Sequence, residues 1–177
     1  MLGAPFAGFL IARLGWPGDS ILPSPISSWR SLISACPPLD RNSRYCNLLQ
    51  CTDFADTCVL AERDGKPLGW ASAYKPPGEA ETLFVWQVAV HPDARGHSLG
   101  KRMILEILRR PVCDGVEQIK TTVTRDNEAS RRMFHSLAKT LDARADERLL
   151  FERRRHFADR HQSEHLITIG RFTTAGR

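Results

Sequence analysis

The sequence predicts an α/β fold, a central twisted mixed sheet flanked by helices, and three observations carry that expectation. Residues 83–90, LFVWQVAV, are nearly all apolar and rich in β-branched and aromatic side chains, as a strand covered on both faces requires. An amphipathic stretch follows in which Leu99, Met103, Ile104, Ile107 and Leu108 recur on one helical face. A second strand-to-helix unit comes after it: residues 118–123, then Ala129, Met133, Phe134, Leu137 and Ala138 at helical spacing. Strands and helices in this alternation pack as helices on a mixed sheet.

The remaining elements follow from local chemistry. A chain of 177 residues with 42% hydrophobic content can bury one good core, so one domain is expected over residues 25–172, between an N-terminal arm at 1–24 and a short tail at 173–177. The arm is apolar but interrupted by glycines, prolines and Arg13, which predicts poor order, with a short first strand around Ile21 and Leu22. Residues 1–9 carry no positive charge, which is unlike a secretory signal. Ser27 or Ser28 would cap a helix carrying Trp29, Leu32 and Ile33, stopped before Pro37 and Pro38. Asp40 or Asn42 would cap a second helix containing Tyr45, Leu48 and Leu49. Two short apolar runs, 57–62 and 67–74, are joined at Arg63-Asp64-Gly65-Lys66, and Asp-Gly between such runs predicts a hairpin. Further strands are expected at 148–152 and 164–171.

Composition narrows the function classes. No apolar run approaches the roughly 20 residues that span a bilayer, so no membrane partner is expected. The formal net charge is +5, but apart from Arg153-Arg154-Arg155 the basic residues are scattered, and no zinc finger, basic zipper or RNA-binding motif accompanies them. A nucleic-acid partner is therefore not expected, whereas an anionic cofactor suits the surplus. Cys36, Cys46, Cys51, Cys58 and Cys113 form an odd set without a C-x-x-C pair, which argues against a disulfide framework and against a metal site and fits a reducing cytoplasm.

The chemistry concentrates where strand 83–90 gives way to helix. His91-Pro92-Asp93 ends the strand, and Arg95, Gly96, His97, Ser98, Leu99, Gly100 and Lys101 lead into the helix. A loop of small residues opening a helix leaves backbone N–H groups pointing one way, an arrangement suited to phosphate. It matches neither G-x-x-x-x-G-K-[ST] nor G-x-G-x-x-G. It does resemble the acetyl-coenzyme A loop of the GNAT N-acetyltransferases, [Q/R]-x-x-G-x-[G/A], in which Arg95 and Gly100 match and Ser98 stands at the middle glycine. Asn127, Ser130 and Phe134 similarly resemble that superfamily's N-x-x-[S/A]-x-x-x-[Y/F] helix start. The resemblance implies the GNAT acyl-CoA N-acyltransferase fold and acetyl-CoA as co-substrate. Val88, Ala89 and Val90 would meet the thioester and pantetheine, residues 95–101 the pyrophosphate, and Asn127, Ser130 and Phe134 the coenzyme arm.

At finer grain the chain resembles the L-2,4-diaminobutyrate acetyltransferases of ectoine synthesis. The carriers are CPPLDRNSRYCNLLQCTDFADTCVLAERDG, SAYKPPG, LFVWQVAVHPDARG, TTVTRDNEAS and HQSEHLITIG, between about Trp29 and Phe172. The resemblance implies acetyl transfer to the γ-amine of L-2,4-diaminobutyrate by a cytoplasmic homodimer. A substrate with two amines and a carboxylate asks for acidic or carbonyl acceptors and at least one donor. Asp40, Tyr45, Trp86, Gln87, His161 and Glu164 fall at or beside positions matching that family's substrate pocket. Asp40 would pair with an ammonium, Trp86 would wall the pocket, and Tyr45 would bind substrate or protonate the departing thiolate. Glu164, assisted by His161, would take the amine's proton.

Each of these residue types also has a plain structural use: Asp40 as a cap, Tyr45 and Trp86 as core, His161 and Glu164 as strand surface. Two departures stand out: the tail reads His161-Gln162-Ser163-Glu164 where the family usually has H-E-D-E, and Phe134 stands where other GNAT enzymes place an acidic tyrosine. A GNAT enzyme for another small amine and a non-catalytic acetyl-CoA-binding module remain as alternatives.

Overall fold

In the computed structural model, residues 10–13, 32, 33, 36, 42–64 and 66–173 are described. Seven strands run in the hydrogen-bonded order β1-β2-β3-β4-β5-β7-β6: β1 (Leu10–Arg13), β2 (Cys58–Arg63), β3 (Lys66–Tyr74), β4 (Thr82–Val90), β5 (Gln118–Thr124), β6 (Arg144–Phe151) and β7 (Glu164–Gly170). The helices are α1 (Arg44–Cys51), α2 (Leu99–Leu108), α3 (Glu128–Thr140) and α4 (Arg153–Phe157). β4 pairs with β5 in parallel, while β1–β2, β2–β3, β5–β7 and β6–β7 are antiparallel, so the sheet is mixed as expected. The chain divides into two compact units, Met1–Ser72 with Gln87–Glu106, and Ala73–Trp86 with Ile107–Arg177.

In the first unit, β2 and β3 form the hairpin anticipated from Asp64-Gly65: Arg63 pairs with Lys66, and Asp64 takes φ +52°. A bulge separates Ala61 from Glu62 opposite Pro67, where proline cannot supply a ladder donor. Leu32, Ile33, Cys36, Cys58, Leu60, Trp70 and Ala89 pack into one apolar cluster, joined by Cys51 and Phe54. Leu32 and Ile33 are helical as expected, while Trp29 lies outside the described residues. So do Ile21 and Leu22, the site expected for a first strand; the strand described in the arm is β1, paired to β2 from Leu10↔Glu62 to Arg13↔Val59. α2 sits on β3 at Gly69, where a Cβ would come to 2.9 Å from Met103 Sδ and Cε. That close approach sets the height of the helix over the strand.

In the second unit, β5 alternates strictly, burying Ile119, Thr121 and Val123. Its partner β7 buries Leu166, Ile167 and Ile169. α3 lies against β6 and β7 and buries Phe134, Leu137 and Ala138. Ala129 is exposed and Met133 half-buried, so the buried stripe begins one turn later than the spacing implied. The reason is that Ala129 stands in the first turn beside its cap, before the helix reaches the core. β6 starts at Arg144 rather than 148, because β7 pairs with it along its full length and overrides the polar pattern of its first half. The five-residue α4 was not anticipated.

Candidate active site

The first unit carries the strand-loop-helix. β4 ends where the backbone N–H of His91 donates to Leu68 O at 2.8 Å, tying the strand end to β3. Pro92-Asp93-Ala94 form one 3₁₀ turn, with His91 Nδ1 accepting from the Asp93 N–H at 3.2 Å and Lys66 Nζ pairing with Asp93 Oδ2 at 3.2 Å. Arg95 folds back, its Nε donating to Val90 O at 3.3 Å. The chain then turns through two left-handed residues, Gly96 at φ +80° and Ser98 at φ +56°, before α2 opens at Leu99. The helix thus starts at Leu99, the first residue of the expected apolar stripe. Its first N–H groups, Leu99 and Gly100 among them, precede any intrahelical acceptor, and Arg102 N–H to Ser98 O at 3.0 Å is the bond that closes the first turn. Such amides, at the positive end of the helix dipole, suit a pyrophosphate. Ser98 occupies the one loop position besides Gly96 where the backbone favours glycine, which accounts physically for a glycine in the motif it resembles. Leu99 and Gly100 are buried, whereas Arg95, Gly96, His97 and Ser98 are exposed and Lys101 is half-buried. Val88 and Val90 are half-buried and Ala89 is fully buried.

In the same unit, α1 presents Tyr45, 70% exposed. Its cap is Ser43, whose side chain accepts from the Cys46 N–H at 3.1 Å, and not Asp40 or Asn42. Asn42 is diverted because its Nδ2 donates instead to Gln87 Oε1 on β4 at 2.8 Å. Gln87 is only 6% exposed. Asp40 lies outside the described residues.

The thiols of α1 are poor nucleophiles. Burial pushes Cys51 up to about 11 and also raises Cys46. In the second unit burial likewise lifts Cys113 to about 11, against the opposing pull of Lys75 and Arg110. None of the five cysteines forms a disulfide.

The second unit carries the rest. Trp86 is 43% exposed, so β4 is not covered on both faces as its composition implied; its ring meets Tyr74 edge-on at 6.1 Å, and Tyr74 in turn lies 5.2 Å from Phe84. Alternation explains the exception: Leu83 and Val85 take the core face and leave Phe84 and Trp86 on the other. His161 Nε2 stands 3.8 Å from Glu164 Oε1. His161 Nδ1 is 2.8 Å from the Gln162 carbonyl, and its ring lies 4.8 Å from Phe157. A carbonyl accepts but cannot donate, so that contact is made with a proton on Nδ1, and Nε2 is the ring nitrogen that faces Glu164. Gln162 Nε2 donates to Asp126 Oδ2 at 3.1 Å, and Ser163 Oγ accepts from the Arg153 N–H at 2.9 Å. Asn127 caps α3, its Oδ1 accepting from the Ser130 N–H at 3.1 Å. Phe134 is 3% exposed and belongs to the core, while Ser130 is half-buried. Among the described residues no cluster of three metal-ligating side chains occurs, and no helix is long and apolar enough to cross a membrane.

The profile of the acetyltransferase (GNAT) family matches residues 26–138. An L-2,4-diaminobutyric acid acetyltransferase of Methylotuvimicrobium alcaliphilum is 48% identical over 141 residues, 80% of this chain and 82% of that protein. One of Bordetella parapertussis is 48% identical over 143 residues, 80% of this chain and 77% of that protein. Among solved structures, the diaminobutyrate acetyltransferase EctA of Paenibacillus lautus, in complex with its substrate L-2,4-diaminobutyric acid and coenzyme A, superposes with a TM-score of 0.79 at 37% identity, covering 84% of this chain and 90% of that one.

Proposed function

The chain belongs to the L-2,4-diaminobutyric acid acetyltransferases, within the GNAT family, and we propose that it transfers the acetyl group of acetyl-CoA to the γ-amine of L-2,4-diaminobutyrate in ectoine synthesis. The observation that carries the reading is the junction from Val90 to Gly100, where two left-handed residues turn the chain into α2 and leave first-turn amides for a diphosphate. Residues 95–101 hold the pyrophosphate, with Asn127 and Ser130 along the coenzyme arm and Phe134 as core support beneath them.

The amine arrives protonated, since an alkyl ammonium has a pKa of roughly 10, and must lose that proton before it attacks. Glu164, directly or through water, accepts it, and His161 at 3.8 Å assists. Asp40, Trp86 and Gln87 bind the substrate, Trp86 with its half-exposed ring. The nitrogen attacks the thioester carbonyl, whose developing oxyanion is met by strand amides around Val88 and Val90. The C–S bond then breaks as the nitrogen gives up its second proton to water and becomes the amide, and the thiolate of coenzyme A is protonated by water or by Tyr45, which water then reprotonates. Burial raises Cys46, Cys51 and Cys113, which makes these three thiols less ready to take an acyl group and is in keeping with direct attack.

The reading includes one catalytic domain over residues 25–172, a homodimer, and a cytoplasmic setting. Exposed Leu149 and Phe151 on β6 are apolar surface that a second copy would cover, and cysteines outside any disulfide suit a reducing compartment.

The test is thiol release from acetyl-CoA by the purified protein with L-2,4-diaminobutyrate, ornithine, lysine, spermidine or an aminoglycoside. Turnover confined to diaminobutyrate is expected. Turnover only with another amine overturns the substrate assignment, and acetyl-CoA binding without any turnover overturns the enzyme assignment.

A further inference from the structure

α1 is an unusual surface helix. Its buried positions are polar, with Asn47 at 2% and Gln50 at 1% exposure, while Tyr45 and Leu48 face outward. Eight residues are too few to be helical by propensity alone, so contacts with the rest of the unit must hold it. Those contacts are unevenly distributed. At the C-terminal end Cys51 and the following Phe54 pack on the apolar cluster, and Gln50 Nε2 reaches Ser72 Oγ at 3.4 Å. At the N-terminal end, a side-chain link among the described residues runs from the helix entry to the strand, Asn42 Nδ2 to Gln87 Oε1 at 2.8 Å. The Ser43 cap shapes the first turn but does not attach it to β4.

We propose that Asn42 is a positioning residue for the amine substrate: its bond to Gln87 holds the start of α1 on β4 and so sets where Tyr45 stands relative to the strand around Val88. The proposal rests on the function given above. Tyr45 lies three residues after Asn42, just past the Ser43 cap, and Val88 follows Gln87 directly, so the amide pair joins the two segments close to both residues. Loss of the bond frees the Tyr45 end while the packed Cys51 end stays in place.

The experiment compares Asn42→Leu, Asn42→Asp and Ser72→Ala with the wild-type enzyme, reading KM for diaminobutyrate, KM for acetyl-CoA, kcat and thermal midpoint. Asn42→Leu, which cannot donate, is expected to raise the diaminobutyrate KM about three- to tenfold, the size of one hydrogen bond, with the acetyl-CoA KM unchanged. Asn42→Asp is expected to rescue it, because the Gln87 amide can turn over and donate to the new carboxylate. Ser72→Ala, which breaks the contact at the other end of α1, should lower the thermal midpoint and leave the diaminobutyrate KM alone. In a Tyr45→Ala background Asn42→Leu should add little. Wild-type protein that does not acetylate diaminobutyrate overturns the proposed function, and this proposal with it. Wild-type turnover with an unchanged KM in Asn42→Leu, equal rises in both KM values, or a full effect surviving without Tyr45 overturns the role of Asn42 alone. An Asn42→Leu protein that fails to fold while Asn42→Asp folds and fails to restore the KM also overturns it.

Discussion

Gln162 donates from its amide to Asp126 at 3.1 Å, directly before the Asn127 cap of α3, so the residue that departs most visibly from the resembling tail has a local partner of its own. Ser163, the other departure, accepts from the first backbone N–H of α4. His161 and Glu164 keep their 3.8 Å approach around these substitutions. Gln162→Glu would set a second carboxylate against Asp126. The expected result is a loss of roughly 0.5–1 kcal/mol at low salt, shrinking as salt screens the pair, read by thermal unfolding at two ionic strengths.

If Glu164 is the proton acceptor, Glu164→Gln should lower kcat about 10²-fold or more while acetyl-CoA still binds. His161→Asn should cost less, since its proposed part is assistance. Steady-state kinetics beside acetyl-CoA protection against thermal unfolding separates the two effects, and a Glu164→Gln enzyme with wild-type kcat would remove Glu164 from the chemistry.

Ser98 at φ +56° pays the left-handed penalty of an L-residue, about 1–2 kcal/mol, which glycine avoids at an entropic cost of roughly 0.5–1 kcal/mol. The first term is the larger. Ser98→Gly should therefore stabilise the protein by up to about 1 kcal/mol and leave the acetyl-CoA KM unchanged or lower. A higher KM would show instead that the Ser98 hydroxyl itself serves the coenzyme.

At Gly69 on β3 an added Cβ would come to 2.9 Å from the end of the Met103 side chain and 3.0 Å from Leu99 Cδ2 on α2. A flexible methionine end can yield to one methyl group but not to a branched side chain. Gly69→Ala should cost about 1 kcal/mol and Gly69→Val up to about 3 kcal/mol, by denaturant unfolding. The valine variant should also raise the acetyl-CoA KM, because displacing Met103 displaces the helix whose first turn faces the coenzyme.

The buried thiols give the stability curve a sign. Cys51 and Cys113 titrate near 11 in the folded chain against 9.0 for the ordinary thiol, so between pH 9 and 11 the unfolded chain binds fewer protons than the native one. Stability is thus fully present below pH 9 and falls as pH rises through that window. Thermal midpoints from pH 8 to 11 should show the decline, and Cys51→Ala should flatten it. Incubation with labelled acetyl-CoA without amine should leave no acetyl group on the protein.

Much of the scaffold was legible because its elements are local. The Asp64-Gly65 hairpin and the five-residue stripe of α2 each depend on chemistry within a few residues, and both stand as expected. β6 was legible only in part: its first half, Arg144 to Glu147, reads as polar loop and becomes strand by pairing with β7. The cap of α1 was misassigned because Asn42 and Ser43 are equally good capping residues, and no local rule shows that Asn42 has a partner 45 positions away.

By itself the sequence determined the mixed sheet, the strand-loop-helix and the family, since periodicity, turn chemistry and long idiosyncratic stretches survive without coordinates. Tertiary structure decided what each polar side chain faces. It turned Trp86 outward, set His161 against Glu164, and drew Asn42 from a helix cap to Gln87. The physical reason is range: backbone conformation is set largely by near neighbours, whereas a side-chain hydrogen bond needs two atoms within about 3 Å, and only the folded chain brings distant residues that close.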